Sequence, residues 1–362
     1  MRRLLLVAVV ASLSHQGVSA QLSYSYGQNI SPGYEGWEQN EDGSFSFLFG
    51  YMNRNWLEEI DVPIGTGNMI SPGPADQGQP THFLPRRNRF TFKVRVPADW
   101  GDKEMVWTLT TAGVTEYAYA SLRTDYKVDN MVIASETGAL GAGTSSPETR
   151  SNMTPVLRII GDRELTARVG QPITLVAELT DDGKPRRRGA ARRARADSIA
   201  AAAAAAGEPE SADASDADAS TTDAESSSAD ATDGSAEEEE EPEETGPRLP
   251  PRALRPPSRV TVGKVVGLHL SWFVYRAPES GGAEPEEVSF DPIQVKVWED
   301  TRAAANSPWG PLWAPPEVPE DGRYEVQVTF TRPGRYVLRA RGDDGALYVD
   351  EDVIVNVTTL LN

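Results

Sequence analysis

Apolar residues in this chain recur at every second position, in short runs closed by glycine or proline, and hardly anywhere at helical spacing. Phe45, Phe47 and Phe49 alternate with Ser46 and Leu48 after Glu41-Asp42-Gly43. Phe90, Phe92, Val94 and Val96 alternate with Thr91, Lys93 and Arg95 until Pro97 ends the run. Thr331 to Val357 reads as two strands around a tight turn at Asp344-Gly345, where glycine supplies the positive φ of a two-residue hairpin. A period of two sends one face of each strand to a core and the other to solvent, so such a chain folds as packed sheets.

Further strands follow from the same pattern. In the first part of the chain they are Met105–Thr110, Glu116–Ala120 and an edge strand over Leu57–Ile64, where Pro63 cannot donate to a ladder. Gly65 to Pro85 holds four prolines and four glycines and reads as a long ordered loop. No stretch here has a helical period, and a sandwich of about 6–8 strands is expected. In the second part, strands are expected at Leu165–Arg168, Ile173–Leu179, Leu268–Arg276, Ile293–Trp298, Tyr324–Phe330, Tyr336–Arg341 and Tyr348–Val357. Gly334 allows a tight turn into its strand, and Tyr336 is placed to fill a corner with its ring while its hydroxyl meets backbone.

These seven strands form one sandwich only if those before residue 184 join those after 258. Between them, Lys184–Arg195 is basic, and Glu208–Glu244 holds 16 acidic residues and no basic one. The acidic part has almost no large apolar side chain, so it cannot offset its chain entropy by burial, and disorder is expected. A sandwich tolerates such an overgrown loop because closure entropy rises slowly with length. At the other end, Arg2-Arg3, the apolar Leu4–Leu13 and Val18-Ser19-Ala20 have the charge, core and small-residue pattern of a secretion signal. The expected order is a signal at 1–20, a β-sandwich at 21–135, a linker at 136–154, and a second sandwich at 155–362 with its insert at 184–258.

Composition narrows the function. The chain has no cysteine, which excludes disulfides, Cys-zinc sites and thiol catalysis. Three histidines make a histidine-rich transition-metal site an unpromising reading, and no cofactor is expected. The net charge of −19 argues against nucleic acid and anionic membranes as partners. No apolar stretch of spanning length follows the signal, so an exported protein of the periplasm, cell surface or exterior is expected. Its partner would be a protein or a polysaccharide.

The second half resembles PKD-type and related immunoglobulin-like modules of bacterial surface proteins. The resemblance rests on Val169-Gly170-Gln171-Pro172, Asp182-Gly183, Leu270-Ser271-Trp272, Phe330 through Tyr336, Asp344-Gly345-Ala346-Leu347 and Asp352 through Val357. It implies a fold, and a role as spacer, adhesive unit or carbohydrate-contacting accessory. The first half is similar to uncharacterised exported proteins of environmental bacteria, through Tyr34-Glu35-Gly36-Trp37, Phe49 through Asn55, Gly78 through Phe83 and Val106-Trp107-Thr108-Leu109. That likeness implies no activity. The fold class expected is all-β: two immunoglobulin-like β-sandwich domains, the second interrupted by a long disordered low-complexity insert.

The densest polar cluster, Gln79 through Arg89, has two readings. His82 and the arginines are donors suited to an anion or a sugar; alternatively Gln79, Asn88 and Arg87 tie down the loop's own backbone. Glu58, Glu59 and Asp61 beside Trp56 are the carboxylates a glycoside hydrolase would need, but neighbours on a strand point to opposite faces, so Glu58 cannot face Glu59. Trp309 and Trp313, four apart in a proline-rich loop, suit either a sugar platform or a sandwich cap. The ligand-contact candidates are therefore Trp56, His82, Arg86, Trp309 and Trp313. Asp343, Asp344 and Asp350 flank the last turn and are the candidates for Ca²⁺, with turn chemistry the competing explanation for Asp343 and Asp344. Arg341-Gly342-Asp343 spells an integrin tripeptide, but its start falls inside a strand. No nucleophile elbow, phosphate loop or dinucleotide fingerprint occurs, and the chain reads as a non-enzymatic scaffold or interaction module, or else a carbohydrate-binding accessory using exposed tryptophans.

Overall fold

Strands account for most of the residues that the computed structural model describes, which are 25–136, 146–185, 267–278, 288–295 and 318–359. The expected signal, nearly all of the insert, and Trp309 and Trp313 lie outside the described residues. The chain divides into two compact units, and every described residue belongs to the one made of 1–187 and 253–362.

In the N-terminal half, β1 (Ile30–Gln39), β2 (Phe45–Asn53) and β6 (Arg86–Val96) form an antiparallel sheet in the order β1-β2-β6. A second sheet has the order β4-β7-β8, from β4 (Asn68–Ser71), β7 (Met105–Thr111) and β8 (Val114–Ala120). A short ribbon pairs β3 (Ile60–Asp61) with β5 (His82–Phe83). The alternating phenylalanines meet between the sheets: Phe49 stacks on Phe92 at 5.2 Å, and buried Trp107 meets the Phe92 ring edge-on at 5.0 Å. Such pairs contribute about 0.5–1.5 kcal/mol beyond the area they bury.

Three local expectations are corrected here. The edge strand over Leu57–Ile64 shrinks to Ile60–Asp61, and the span read as loop contains β4 and β5. These pieces are too short to show a period; side chains hold them. Buried Asn68 donates to the carbonyls of Val62 and Pro80 and accepts from Trp107 Nε1. A short helix α1 (Asn130–Glu136) also exists, capped by Asp129 Oδ1, which accepts from the backbone of Met131 and Val132. Seven residues are too few to leave a helical signature in sequence.

The C-terminal half contains β9 (Val156–Ile160), β10 (Glu164–Arg168), β11 (Ile173–Thr180), β12 (His269–Arg276), β13 (Val288–Asp291), β14 (Arg323–Phe330), β15 (Gly334–Asp343) and β16 (Tyr348–Thr358). Its sheets run β13-β14-β11-β9 and β10-β16-β15-β12, so each combines strands from both sides of the insert. This is an immunoglobulin-like arrangement, and the insert occupies the connection between its third and fourth strands, β11 and β12. Tyr336 is fully buried, packs on Phe330 at 4.8 Å, and donates its hydroxyl to the Arg332 carbonyl at 3.2 Å. Four expectations change. The described residues of this half form eight strands rather than the seven expected, β9 being the addition. The strand read at Ile293–Trp298 is instead β13, one turn earlier; Ile293–Val295 is not strand, and the rest lies outside the described residues. The closing turn has four residues between paired Asp343 and Tyr348, with Gly345 at φ 93°. The span read as linker holds a single helical turn α2 (Pro147–Arg150), capped by Ser146.

β12 and β15 are buried on both faces. One face, with Trp272, Leu338 and Ala340, lies in the immunoglobulin-like core. The other brings Phe273, Tyr275 and Val337 into the same cluster as Phe47, Phe49 and Trp107 of the N-terminal half. Leu347 joins Leu48, Phe90, Val128 and Ile133. Two arginines share this second face. Arg339 pairs with Asp352 and donates to the Thr91 carbonyl at 2.6 Å, and Arg341 pairs with Asp350 and donates to the Phe90 carbonyl at 3.0 Å. Their guanidiniums stack on Tyr275 at 3.4 Å and Tyr348 at 4.1 Å.

Candidate functional site

His82 enters the structure as an ion clamp. Glu59 and Asp61, two apart, present their carboxylates from one side of β3 to the histidine on β5. Nδ1 lies 2.8 Å from Asp61 Oδ1, and Nε2 lies 3.0 Å from Glu59 Oε2. Each of the three side chains is only 10–12% exposed. Burial alone would lower the His82 pKa, but the hydrogen bonds and charges of both carboxylates outweigh it and raise the value to about 10. At neutral pH both ring nitrogens therefore carry protons, leaving no lone pair for a base or a metal ligand. The structure does bring two carboxylates to His82, as hydrolysis would require, but they are spent on the ring. Glu58 is turned away and accepts from the Gly27 backbone at 2.6 Å.

The other residues of the polar cluster also serve the fold. Gln79 and Asn88 are fully buried; Gln79 donates to the Ala75 carbonyl, and Asn88 to those of Leu84, Pro85 and Arg86. Arg87 pairs with Glu35 at 2.6 Å. Trp56 and Arg86 do meet: the guanidinium lies 4.2 Å over the indole, with Arg86 at φ 63°. Of the tryptophans among the described residues, Trp37, Trp100, Trp107 and Trp272 are buried, so Trp56 alone retains partial exposure.

The calcium candidates have separate tasks. Asp343 Oδ1 accepts from the Gly345 backbone, and Asp350 holds Arg341. Asp344 Oδ1 accepts from the Ala346 and Leu347 backbones at 2.6 and 2.7 Å, while Oδ2 accepts from Asn152 Nδ2 at 2.9 Å. Among the described residues, no group of three or more His, Asp or Glu side chains is placed to hold a metal ion.

Burial raises the Asp344 pKa to about 6, against the lowering effect of its hydrogen bonds and with a further upward push from Asp181. A carboxyl raised in the folded state binds extra protons there. Its contribution is full below the unfolded value of about 3.9 and is lost as pH rises through about 6. Asp344→Asn should remove this dependence while the side chain still caps the turn. Melting wild type and variant at pH 4 and pH 7 checks it: relative to the variant, wild type should lose on the order of 3 kcal/mol between the two pH values.

What sequence reasoning overlooked is the outer face of β7 and β8. The strand expected at Glu116–Ala120 is present within β8, but its aromatic residues point away from the core: Tyr117 and Tyr119 are 52% and 57% exposed, while Ala118 and Ala120 are buried. The cause is size. Trp107 pairs across the ladder with Ala118 and fills the space beneath it, so the inward positions must be small. An aromatic–alanine alternation of inverted polarity (Tyr-Ala-Tyr-Ala) is the signal that would have found this face. The two rings lie 6.2 Å apart at an interplanar angle of 34°. Beside them on the same face, Thr110 and Thr115 join hydroxyls at 2.9 Å. Where Met105 pairs with Ala120, the two strands run on into a cleft of about 500 Å³ lined by Asp102, Glu104, Ser121, Leu122 and Arg123.

No known protein family matches the chain, and no curated protein does. Among solved structures it is similar to domains 4 and 5 of the S-layer protein SbsC, at TM-score 0.18 and 9% identity over 91% of this chain and 98% of that one. The titin domains z1z2 in complex with telethonin give 0.20 and 7%, over 91% and 98%. The Yersinia pseudotuberculosis adhesin InvE gives 0.20 and 8%, over 94% and 62%. Superpositions this loose carry no argument about function; the all-β, immunoglobulin-like assignment stands on strand order.

Proposed function

We propose that the chain is an exported, non-enzymatic interaction module of the bacterial periplasm or cell surface. In this reading 21–135 and 155–362 are two sandwich domains joined through 136–154, the second a PKD-type module whose 184–258 insert keeps the protein soluble. The observation that carries the reading is the rigid sheet face holding Tyr117 and Tyr119 in solvent: exposed tyrosines on a fixed scaffold offer large contact area at little entropic cost. The inward engagement of His82, Glu59 and Asp61 supports a binding role over a hydrolytic one.

Expression of the full chain in a bacterial host tests the reading. A product starting at Gln21 and recovered outside the cytoplasm is expected, and it should release nothing from polysaccharide, ester or peptide substrates. Retention of Met1 in the cytoplasm would defeat the export half. Turnover of any substrate would defeat the non-enzymatic half.

A further inference from the structure

We infer that the Tyr117–Tyr119 face, together with the adjoining cleft, binds a neutral polysaccharide. The inference rests on the reading of the chain as a binding module and assigns its ligand class. The C–H faces of a sugar ring carry slight positive charge and stack on the negative face of an aromatic ring. Two such rings stand side by side here, both more than half exposed, on a strand whose ladder to β7 fixes their spacing.

The surroundings mix hydroxyls with the apolar Val106, which pairs with Tyr119. Thr108 and Thr115 sit beside Tyr117 in the ladder, and Thr110 bonds Thr115. At the end of the hairpin the cleft offers Asp102, Glu104 and Ser121 to equatorial hydroxyls. Arg123, its one cation, is 3.4 Å from Asp125 and is thereby partly neutralised. An acidic cleft on a chain of net charge −19 repels uronic or sulfated glycans, and this selects uncharged ones.

Affinity electrophoresis of the mature chain through gels containing β-1,4-glucan, xylan, mannan or starch tests the assignment, with alginate as the anionic arm. Retardation is expected in at least one neutral gel and not in alginate. Tyr117→Ala/Tyr119→Ala should weaken it at least tenfold, and Glu104→Gln several-fold. Tyr26→Ala, which removes another exposed tyrosine, should leave it unchanged. The double variant removes only solvent-side rings, so its melting temperature should match wild type and separate lost binding from lost folding. No retardation in any neutral gel, retardation in alginate alone, or full binding by the double variant each overturns the assignment. These outcomes leave the non-enzymatic reading standing; release of reducing ends from a bound glucan would overturn that reading and leave the sugar assignment intact.

Discussion

Arg341→Ala is expected to destabilise the whole described unit by about 3–5 kcal/mol, the usual cost of removing one partner of a buried ion pair. Arg341 is 2% exposed and does three things at once: it pairs with Asp350, stacks on Tyr348, and satisfies the Phe90 carbonyl of the other sandwich. Its loss leaves the Asp350 carboxylate with only the more distant Arg339 guanidinium, at 3.8 Å, and leaves a backbone acceptor without its donor in the contact between the halves. Arg341→Lys should rescue less than half, because a point ammonium cannot fork between a carboxylate and a carbonyl. Arg341→Met combined with Asp350→Leu should recover more than either single change, since apolar replacement of both partners removes the stranded charge. Urea unfolding of the four proteins measures this. A loss below about 1 kcal/mol for Arg341→Ala would show that the pair is no more than a surface salt bridge.

His82→Leu should cost a similar amount, about 3–5 kcal/mol, by leaving Glu59 and Asp61 buried against an apolar side chain. The pH dependence separates this clamp from ordinary packing. The His82 pKa is raised from 6.5 to about 10 in the folded protein. Its contribution is therefore complete below pH 6.5 and disappears as pH climbs through about 10, a loss on the order of 4 kcal/mol. Wild type should weaken between pH 6 and pH 10.5 by that much more than His82→Leu does. Parallel pH curves for the two proteins would mean that the ring is neutral in the fold. The companion change Glu59→Gln should lower the pH at which the loss is complete and reduce its size, because one of the two charges holding the proton has gone.

The alternation at Phe45–Phe49, Phe90–Val96 and Tyr336–Ala340 made the strands legible. The Gly334–Tyr336 corner was legible too, because glycine and a buried hydroxyl meet local needs that a few neighbouring residues set. The ribbon of β3 and β5 was not. Two-residue strands have no period, and they exist because His82 draws Glu59 and Asp61 to it from 23 and 21 residues away. The candidate site was overlooked for a related reason. Tyr117 and Tyr119 look like core residues in a strand until Trp107 is known to occupy the space below Ala118.

Alternation and turn chemistry, acting within a few residues, are enough to specify an all-β chain with an immunoglobulin-like half split by its insert. Charged residues alternating with apolar ones on a strand, as Arg339, Arg341, Asp350 and Asp352 do, ordinarily face solvent. Only the tertiary structure turns that face inward, where a second sandwich covers it and the charges pair across β15 and β16. Local patterning specifies which side of a strand differs from the other. What lies against each side is decided by segments 248–251 residues away, whose carbonyls the two arginines reach.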